Sequence, residues 1–193
     1  MDAFALLREE IVADDANRTP QFAEQTPLFQ AASSARILIV GQAPGRRTQD
    51  SGVLWSDASG ITLRLWLGMS EGQFYDSALV ALLPMDFYYP GKGASGDLPP
   101  RRDFAPRWHP QLLGLMPNVR LTLLIGGYAQ KYYLGSRAKS TLTETVRAFR
   151  EYPEDTLPLV HPSPLNFRWR ARNPWFGQVV LPDLRRRVVN SLR

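Results

Sequence analysis

Two histidines and no cysteine bound the chemistry open to this 193-residue chain. Without Cys there is no thiolate metal site, no thiol nucleophile, no disulfide framework and no cysteine-held iron–sulfur cluster. Two His are too few for a histidine-rich metal centre. The groups left for acid–base and hydrogen-bond chemistry lie near the ends of apolar runs. His161 opens the segment His161-Pro-Ser-Pro-Leu-Asn166, and Asp57 stands two residues after Trp55 in Gly52-Val-Leu-Trp-Ser-Asp-Ala-Ser-Gly60. Asp86 follows the run Ala78–Leu83, and Asp50 lies just before Gly52. The turn Gly41-Gln-Ala-Pro-Gly45 ends another apolar run, and turns of that composition expose N–H groups to anions or carbonyl oxygens. Each feature also has an ordinary reading. The turn can be only a tight turn, His161 a structural histidine, Trp55 a core residue, and Asp57 the N-cap of a helix beginning at Ser59. Arg168, Arg170 and Arg172, interleaved with Trp169, form a solvated face unless a polyanion is present. His109, before Pro110, is read as structural.

These residues must be positioned by the elements around them. Apolar runs at Arg36–Gly41, Ala78–Leu83, Leu121–Ile125 and Leu157–Val160 read as four strands. Helical patterns separate them, at 59–68, at 106–116, from Tyr128 to Leu134, and from about Thr141, where Thr141 and Glu144 have capping-box spacing. A helix over 1–15 precedes them, with Phe4, Leu7 and Ile11 on one face, and one from about Pro174 to Leu192 follows. Continuous apolar strands alternating with helices predict a parallel sheet covered on both faces. The expected fold class is therefore α/β, a three-layer α/β/α sandwich with a central, mainly parallel sheet of about four strands. A single domain over 1–193 is expected, with residues 1–30 as N-terminal helix and lead-in. The stretch from Pro84 to Pro110, dense in Pro and Gly, is the outlier, and a loop that long is usually functional or disordered. Its Lys92, Arg101, Arg102 and Arg107, with Tyr88, Tyr89 and Trp108, form either a wall that contacts a polyanion or a proline-braced surface. Ligands of an open parallel sheet bind beyond the carboxyl ends of its strands. That rule predicts that Gly41–Gly45, Pro84–Tyr89, Gly126-Gly127 and His161–Asn166 share one rim.

Charge is divided unevenly. Residues 101–193 hold sixteen Lys and Arg against six acids, and only Lys92, Lys131 and Lys139 are lysines. Arginine suits bidentate phosphate contacts and stacking, so the basic half, with its Trp and Tyr, fits a nucleic-acid face. No apolar run approaches the roughly 20 residues of a membrane-spanning helix. Acids stand near the N-terminus where a secretory signal needs positive charge. A soluble, cytoplasmic protein is expected.

In order and spacing, from about residue 36 to 185, the chain resembles the uracil-DNA glycosylase superfamily. Gly41-Gln-Ala-Pro-Gly45 after the first strand and His161-Pro-Ser-Pro-Leu-Asn166 after the last look like its two signature motifs. Gly52–Gly60 resembles the segment that supplies an aromatic. The resemblance implies an enzyme that flips a damaged base out of DNA and cuts its N-glycosidic bond, at a flipping cost of a few kcal/mol. Gln42 and Ala43, after Gly41, would offer main-chain N–H groups to a base carbonyl. Trp55 would stack on the base, contributing roughly 1–3 kcal/mol. His161 would donate to the O2 of the leaving pyrimidine as it becomes anionic, a contribution of about 3–4 kcal/mol in a dry pocket. Pro44 and Gly45 would meet the DNA, as would Ser163, Pro164 and Asn166, with Ser163 on a phosphate. Leu165 would fill the space left by the flipped base, and Arg168, Arg170 and Arg172 would clamp phosphates.

Two departures from the family pattern matter. The best-known branch has a water-positioning acid where Ala43 stands. Trp55-Ser-Asp57-Ala-Ser-Gly60 is similar to a segment of an iron–sulfur branch that carries its acid downstream, so Asp57 is the candidate, with Asp86 second and Asp50 third. Several branches also have an Asn in the second strand that reads the uracil edge. Ala81 falls roughly there, which leaves base identity open among uracil, hypoxanthine and xanthine. No metal and no diffusible cofactor are expected, and no Lys lies near either motif for a Schiff-base step. The expected partner is DNA containing a damaged base, met by a monomer. Two other readings stand beside this one: a catalytically silent DNA-binding relative, and a small-molecule α/β enzyme with Gly41–Gly45 on a phosphate. Against the last, the first loop lacks the residues of a P-loop and of a dinucleotide fingerprint.

Overall fold

Four short apolar runs become four strands because each is covered on both faces. In the computed structural model, which describes residues 2–193, these are β1 (Ile37–Val40), β2 (Val80–Leu82), β3 (Leu121–Ile125) and β4 (Thr156–Leu159). They form one sheet in the order β2-β1-β3-β4, parallel throughout. Side chains alternate between the faces. Ile37, Ile39, Val80, Leu82, Leu121 and Leu123 enter one core layer, whereas Leu38, Val40, Ala81, Leu83 and Leu124 enter the other. The first layer is closed by Leu63 and Trp66 of α3 (Ala58–Leu67), Phe74 of α4 (Glu71–Tyr75), Val146 of α7 (Leu142–Arg147), and Leu184 and Val188 of α9 (Leu181–Leu192). The second is closed by Leu7 and Ile11 of α1 (Ala3–Ala13), Trp108 and Leu112 of α5 (Phe104–Gly114), and Ala129 and Leu134 of α6 (Gly127–Leu134). The three-layer α/β/α sandwich read from the sequence is the fold observed.

The capping box at Thr141 and Glu144 is formed, with both reciprocal hydrogen bonds. Three short helices are additional to the sequence reading: α2 (Arg46–Ser51), α4 and α8 (Phe167–Arg172). The last helix also differs. A π-helical turn at Phe176–Val180 precedes α9, and Pro182 explains the break, since its nitrogen has no hydrogen for a regular ladder.

The Pro84–Pro110 stretch is not a loose loop, and much of it packs into the core. Helix α5 already starts at Phe104, and Phe87, Tyr88 and Trp108 are core residues. Arg101 is tied to Asp86 and Asn17 and lies over Phe22 and Phe104, 4.1 and 4.6 Å from their ring centres. Arg107 pairs with Asp14. Tyr88 and Trp108 thus follow the apolar layer, and Arg101 and Arg107 are paired with carboxylates, whereas Lys92 and Arg102 stay exposed. His109 is structural, as expected. Its Nε2 meets the Pro84 carbonyl at 3.0 Å and its Nδ1 the Tyr133 hydroxyl at 2.7 Å.

Candidate active site

A cavity of about 320 Å³ opens at the carboxyl end of the sheet, on the α3 side. Gly41, Gln42, Ala43, Pro44 and Gly45 line it from the β1 exit, and His161 and Ser163 from the β4 exit. Leu54, Trp55, Asp57 and Ser59 line it from the lead-in to α3. Segments about 120 residues apart in the chain therefore meet at one rim, as the parallel topology requires.

His161 is prepared as a hydrogen-bond donor. The Ser163 amide donates to its Nδ1 at 3.2 Å, so the proton of a neutral imidazole lies on Nε2. Burial lowers the His161 pKa, with the Asp57 charge opposing that shift. The neutral Nε2–H form is thus the resting form near pH 7. The loop carrying it is braced from both sides: Asn166 Nδ2 donates to the His161 carbonyl at 2.9 Å, and an Arg170 N–H donates to the Ser163 carbonyl at 3.1 Å.

Trp55 stacks on His161, with ring centres 5.5 Å apart and planes 29° from parallel. It does so from the left-handed region, φ 58°, a costly conformation for a bulky residue. Two contacts hold it there. Arg64 donates to the Trp55 carbonyl at 3.1 Å, and the Tyr75 hydroxyl donates to the neighbouring Leu54 carbonyl at 2.9 Å. Two glycines leave the room it needs. A Cβ on Gly60 would fall 1.6 Å from the Trp55 carbonyl oxygen, and one on Gly41 would lie 3.1 Å from the indole ring.

Asp57 fulfils both of its readings at once. It caps α3, its Oδ1 accepting the Gly60 amide at 3.0 Å, and it lines the cavity beside His161. Capping fixes one carboxylate oxygen and leaves the other for solvent or substrate.

The structure separates other candidates from the cavity. Asp86 is fully buried, its carboxylate gripped by the Arg101 guanidinium at 2.7 and 2.8 Å and by the Tyr88 and Arg101 amides. Its main chain continues the pairing of β2 onto the Gln42 carbonyl, but its side chain is engaged by Arg101, which in turn reaches Ala16 and Asn17 of the N-terminal segment. Asp50 is exposed and paired with Arg46 at 3.0 Å. Ala81 faces the core layer of α1 and α5, on the opposite side of the sheet from the cavity. Pro84, three residues on, is the β2-exit residue that lines it. The β4 exit presents Leu165 at the tip of its loop, 87% exposed, with Phe167 beside it at 57%. In α8, Trp169 is the anchor, donating to Thr143 at 2.8 Å and packing edge-on against Trp175 and Phe176. Arg168 and Arg172, four apart, share a face, whereas Arg170 turns back to its own loop. Pro84 lines the cavity from the predicted rim segment Pro84–Tyr89, and Thr48, Ser59 and Asp97 line it without having been singled out from sequence. Ser59 lay within a noted segment, but nothing in local pattern marks Asp97.

A family model of the uracil DNA glycosylase superfamily matches residues 28–185, which include both loops and the Trp55–Asp57 segment. The chain belongs to the uracil DNA glycosylase superfamily. It is accordingly a DNA N-glycosylase by class, a hydrolase of DNA repair whose partner is DNA. Within this superfamily member, the β1 exit, the α3 lead-in and the β4 exit meet at one cavity, joined by Pro84 and Asp97. Among the described residues, no three His, Cys, Asp or Glu side chains converge as a metal site, and no helix is long and apolar enough to cross a membrane.

Proposed function

We propose that this chain flips a deaminated base, uracil first, out of DNA and releases it by hydrolysis of the bond to C1′ of the sugar. The observation that carries this reading is the joint placement of the His161 ring, Asp57 and Trp55 on one cavity beyond the sheet. A base entering that cavity meets the Gln42 and Ala43 amides, suited to a carbonyl. As the glycosidic bond breaks, electrons move onto the base and a positive charge develops on the sugar. The His161 Nε2–H donates to the base oxygen where negative charge gathers, inside the cavity that the base fills. The uncapped oxygen of Asp57 opposes the sugar cation and orients water, which adds to C1′ and passes a proton to carboxylate or solvent. A neutral donor is enough, because it strengthens as the acceptor becomes anionic. Trp55 supports the His161 ring and offers its remaining surface to the base.

Outside the cavity, Leu165 has the exposure and position of a wedge that replaces the flipped base in the stack. Arg168 and Arg172 on α8 face the phosphates, while Arg170 sets the loop geometry.

The test is base release. Purified protein is incubated with single- and double-stranded oligonucleotides carrying uracil, hypoxanthine or xanthine, and abasic sites are revealed by alkali. Strand cleavage at uracil is the expected result. Salt-sensitive DNA binding with no abasic product from any of the three would replace the proposal with a silent DNA-binding relative.

A further inference from the structure

A second carboxylate reaches the same cavity from a segment that neither motif contains. Residues 91–98 close as a small hairpin. Lys92 and Asp97 pair across an antiparallel bridge, the Gly93 amide donates to the Gly96 carbonyl at 2.8 Å, and the Leu98 amide donates to the Gly91 carbonyl at 2.8 Å. The hairpin folds Asp97 back onto the β1-exit loop. Its Oδ2 lies 3.5 Å from where a Cβ on Gly45 would be. Its Oδ1 accepts the Tyr89 hydroxyl at 3.2 Å. Tyr89 is itself pinned, its amide shared between the side-chain oxygens of Gln25 and Gln49, each at 2.9 Å. One carboxylate oxygen is therefore held and the other is left beside the loop that lines the cavity.

We propose that Asp97 reads the extruded base by accepting a ring N–H, a specificity role that rests on the glycosylase reading above. Deamination converts the N=C–NH2 edge of cytosine or adenine into an O=C–N–H edge. The complement of that edge is a donor for the oxygen next to an acceptor for the ring N–H. The Gln42 and Ala43 amides are the donors, and Asp97 stands beside the same loop as the acceptor. At the β2 exit, Pro84 has no polar side-chain atom, and its carbonyl is already engaged by His109. Cytosine and adenine would bring a ring-nitrogen lone pair against the carboxylate and leave it unpaired, which is how a hydrogen-bonding site rejects an analogue.

The experiment measures binding, so that it does not depend on turnover. The probes are two duplex oligonucleotides, one with 2′-fluoro-2′-deoxyuridine, whose glycosidic bond resists cleavage, and one with its N3-methyl counterpart. Dissociation constants are measured for the wild type, Asp97→Ala and Asp97→Asn, with release of uracil from ordinary deoxyuridine DNA assayed in parallel. The wild type is expected to bind the N–H probe about tenfold more tightly than the methylated one, the size of a hydrogen bond to a charged group. Asp97→Ala brings that ratio close to one by weakening the N–H probe alone. Asp97→Asn keeps part of it through the amide oxygen. A wild-type ratio of one, a ratio unmoved in Asp97→Ala, or equal weakening of both probes overturns the proposal. Uracil release with an unmoved ratio removes the Asp97 role alone. A shifted ratio with no base release from the wild type removes the glycosylase reading and leaves the base-reading role standing.

Discussion

The Ser163 amide donates to Nδ1 of His161 at 3.2 Å, and this one contact decides which imidazole nitrogen carries the proton. Replacing Ser163 by proline removes the amide hydrogen at a residue whose φ of −52° a proline accepts. Excision by Ser163→Pro is expected to fall more than tenfold below that of Ser163→Ala, which lacks only the hydroxyl. Single-turnover rates of the two variants at saturating enzyme make the comparison. Equal rates would mean that the amide does not set the tautomer that matters.

His161→Ala is expected to lose about 10²–10³-fold in the rate of base release, the usual cost of one donor aimed at developing negative charge. DNA affinity should change little, because the ring faces the cavity and not the exposed Leu165 tip. Equilibrium binding to an uncleavable duplex, set beside the rate, separates the two effects.

Asp57→Asn removes the charge but keeps a good N-cap. The thermal midpoint should stay near that of the wild type while excision falls by at least tenfold. Full turnover in this variant would take the cation-stabilising role away from Asp57. A large drop in thermal midpoint would mean that the carboxylate charge, beyond the cap, is structural.

Gly60→Ala places a methyl 1.6 Å from the Trp55 carbonyl oxygen. The backbone there cannot yield without moving Trp55 off His161. A destabilisation of more than about 2 kcal/mol is expected, the size associated with strain at a special backbone position, with excision lost in the protein that still folds. Urea denaturation and the excision assay test it together.

His109 predicts the acid limb of stability. Burial holds its pKa at about 4 against the ordinary histidine value of 6.5, opposed only in part by its bond to the Pro84 carbonyl. A lowered His pKa means that the unfolded chain binds the proton more readily. Stability from this group is therefore complete above 6.5 and is lost as pH falls from there toward 4. The full loss is on the order of 3 kcal/mol. Urea unfolding between pH 7 and 4 should be steeper in pH for the wild type than for His109→Gln, which retains an amide donor for the carbonyl.

Much of this architecture is legible along the chain. Four apolar runs ended by Gly or Pro specify strands buried on both faces, and such strands pair in parallel with helices between them. From that alone the β1 and β4 exits must share a rim, and Asp57 must cap a helix, because N-cap chemistry depends on three or four neighbouring residues. The resemblance carried by Gly41–Gly45 and His161–Asn166 was readable for the same reason: each motif is contiguous.

What the chain did not disclose depends on parity and on distant partners. Whether Ala81 or Pro84 lines the cavity turns on which face of β2 each residue presents, and a small error in placing the strand end reverses that answer. Asp86 looked available until Arg101, fifteen residues on, closed over it. Asp97 lies in a stretch dense in Pro and Gly with no motif of its own, and only the hairpin turns it onto Gly45. Local sequence determines which backbone conformations are favourable. Only the packed tertiary structure decides which charges are neutralised and which are left facing the cavity, because pairing a charge is a matter of a few ångströms between segments far apart in the chain.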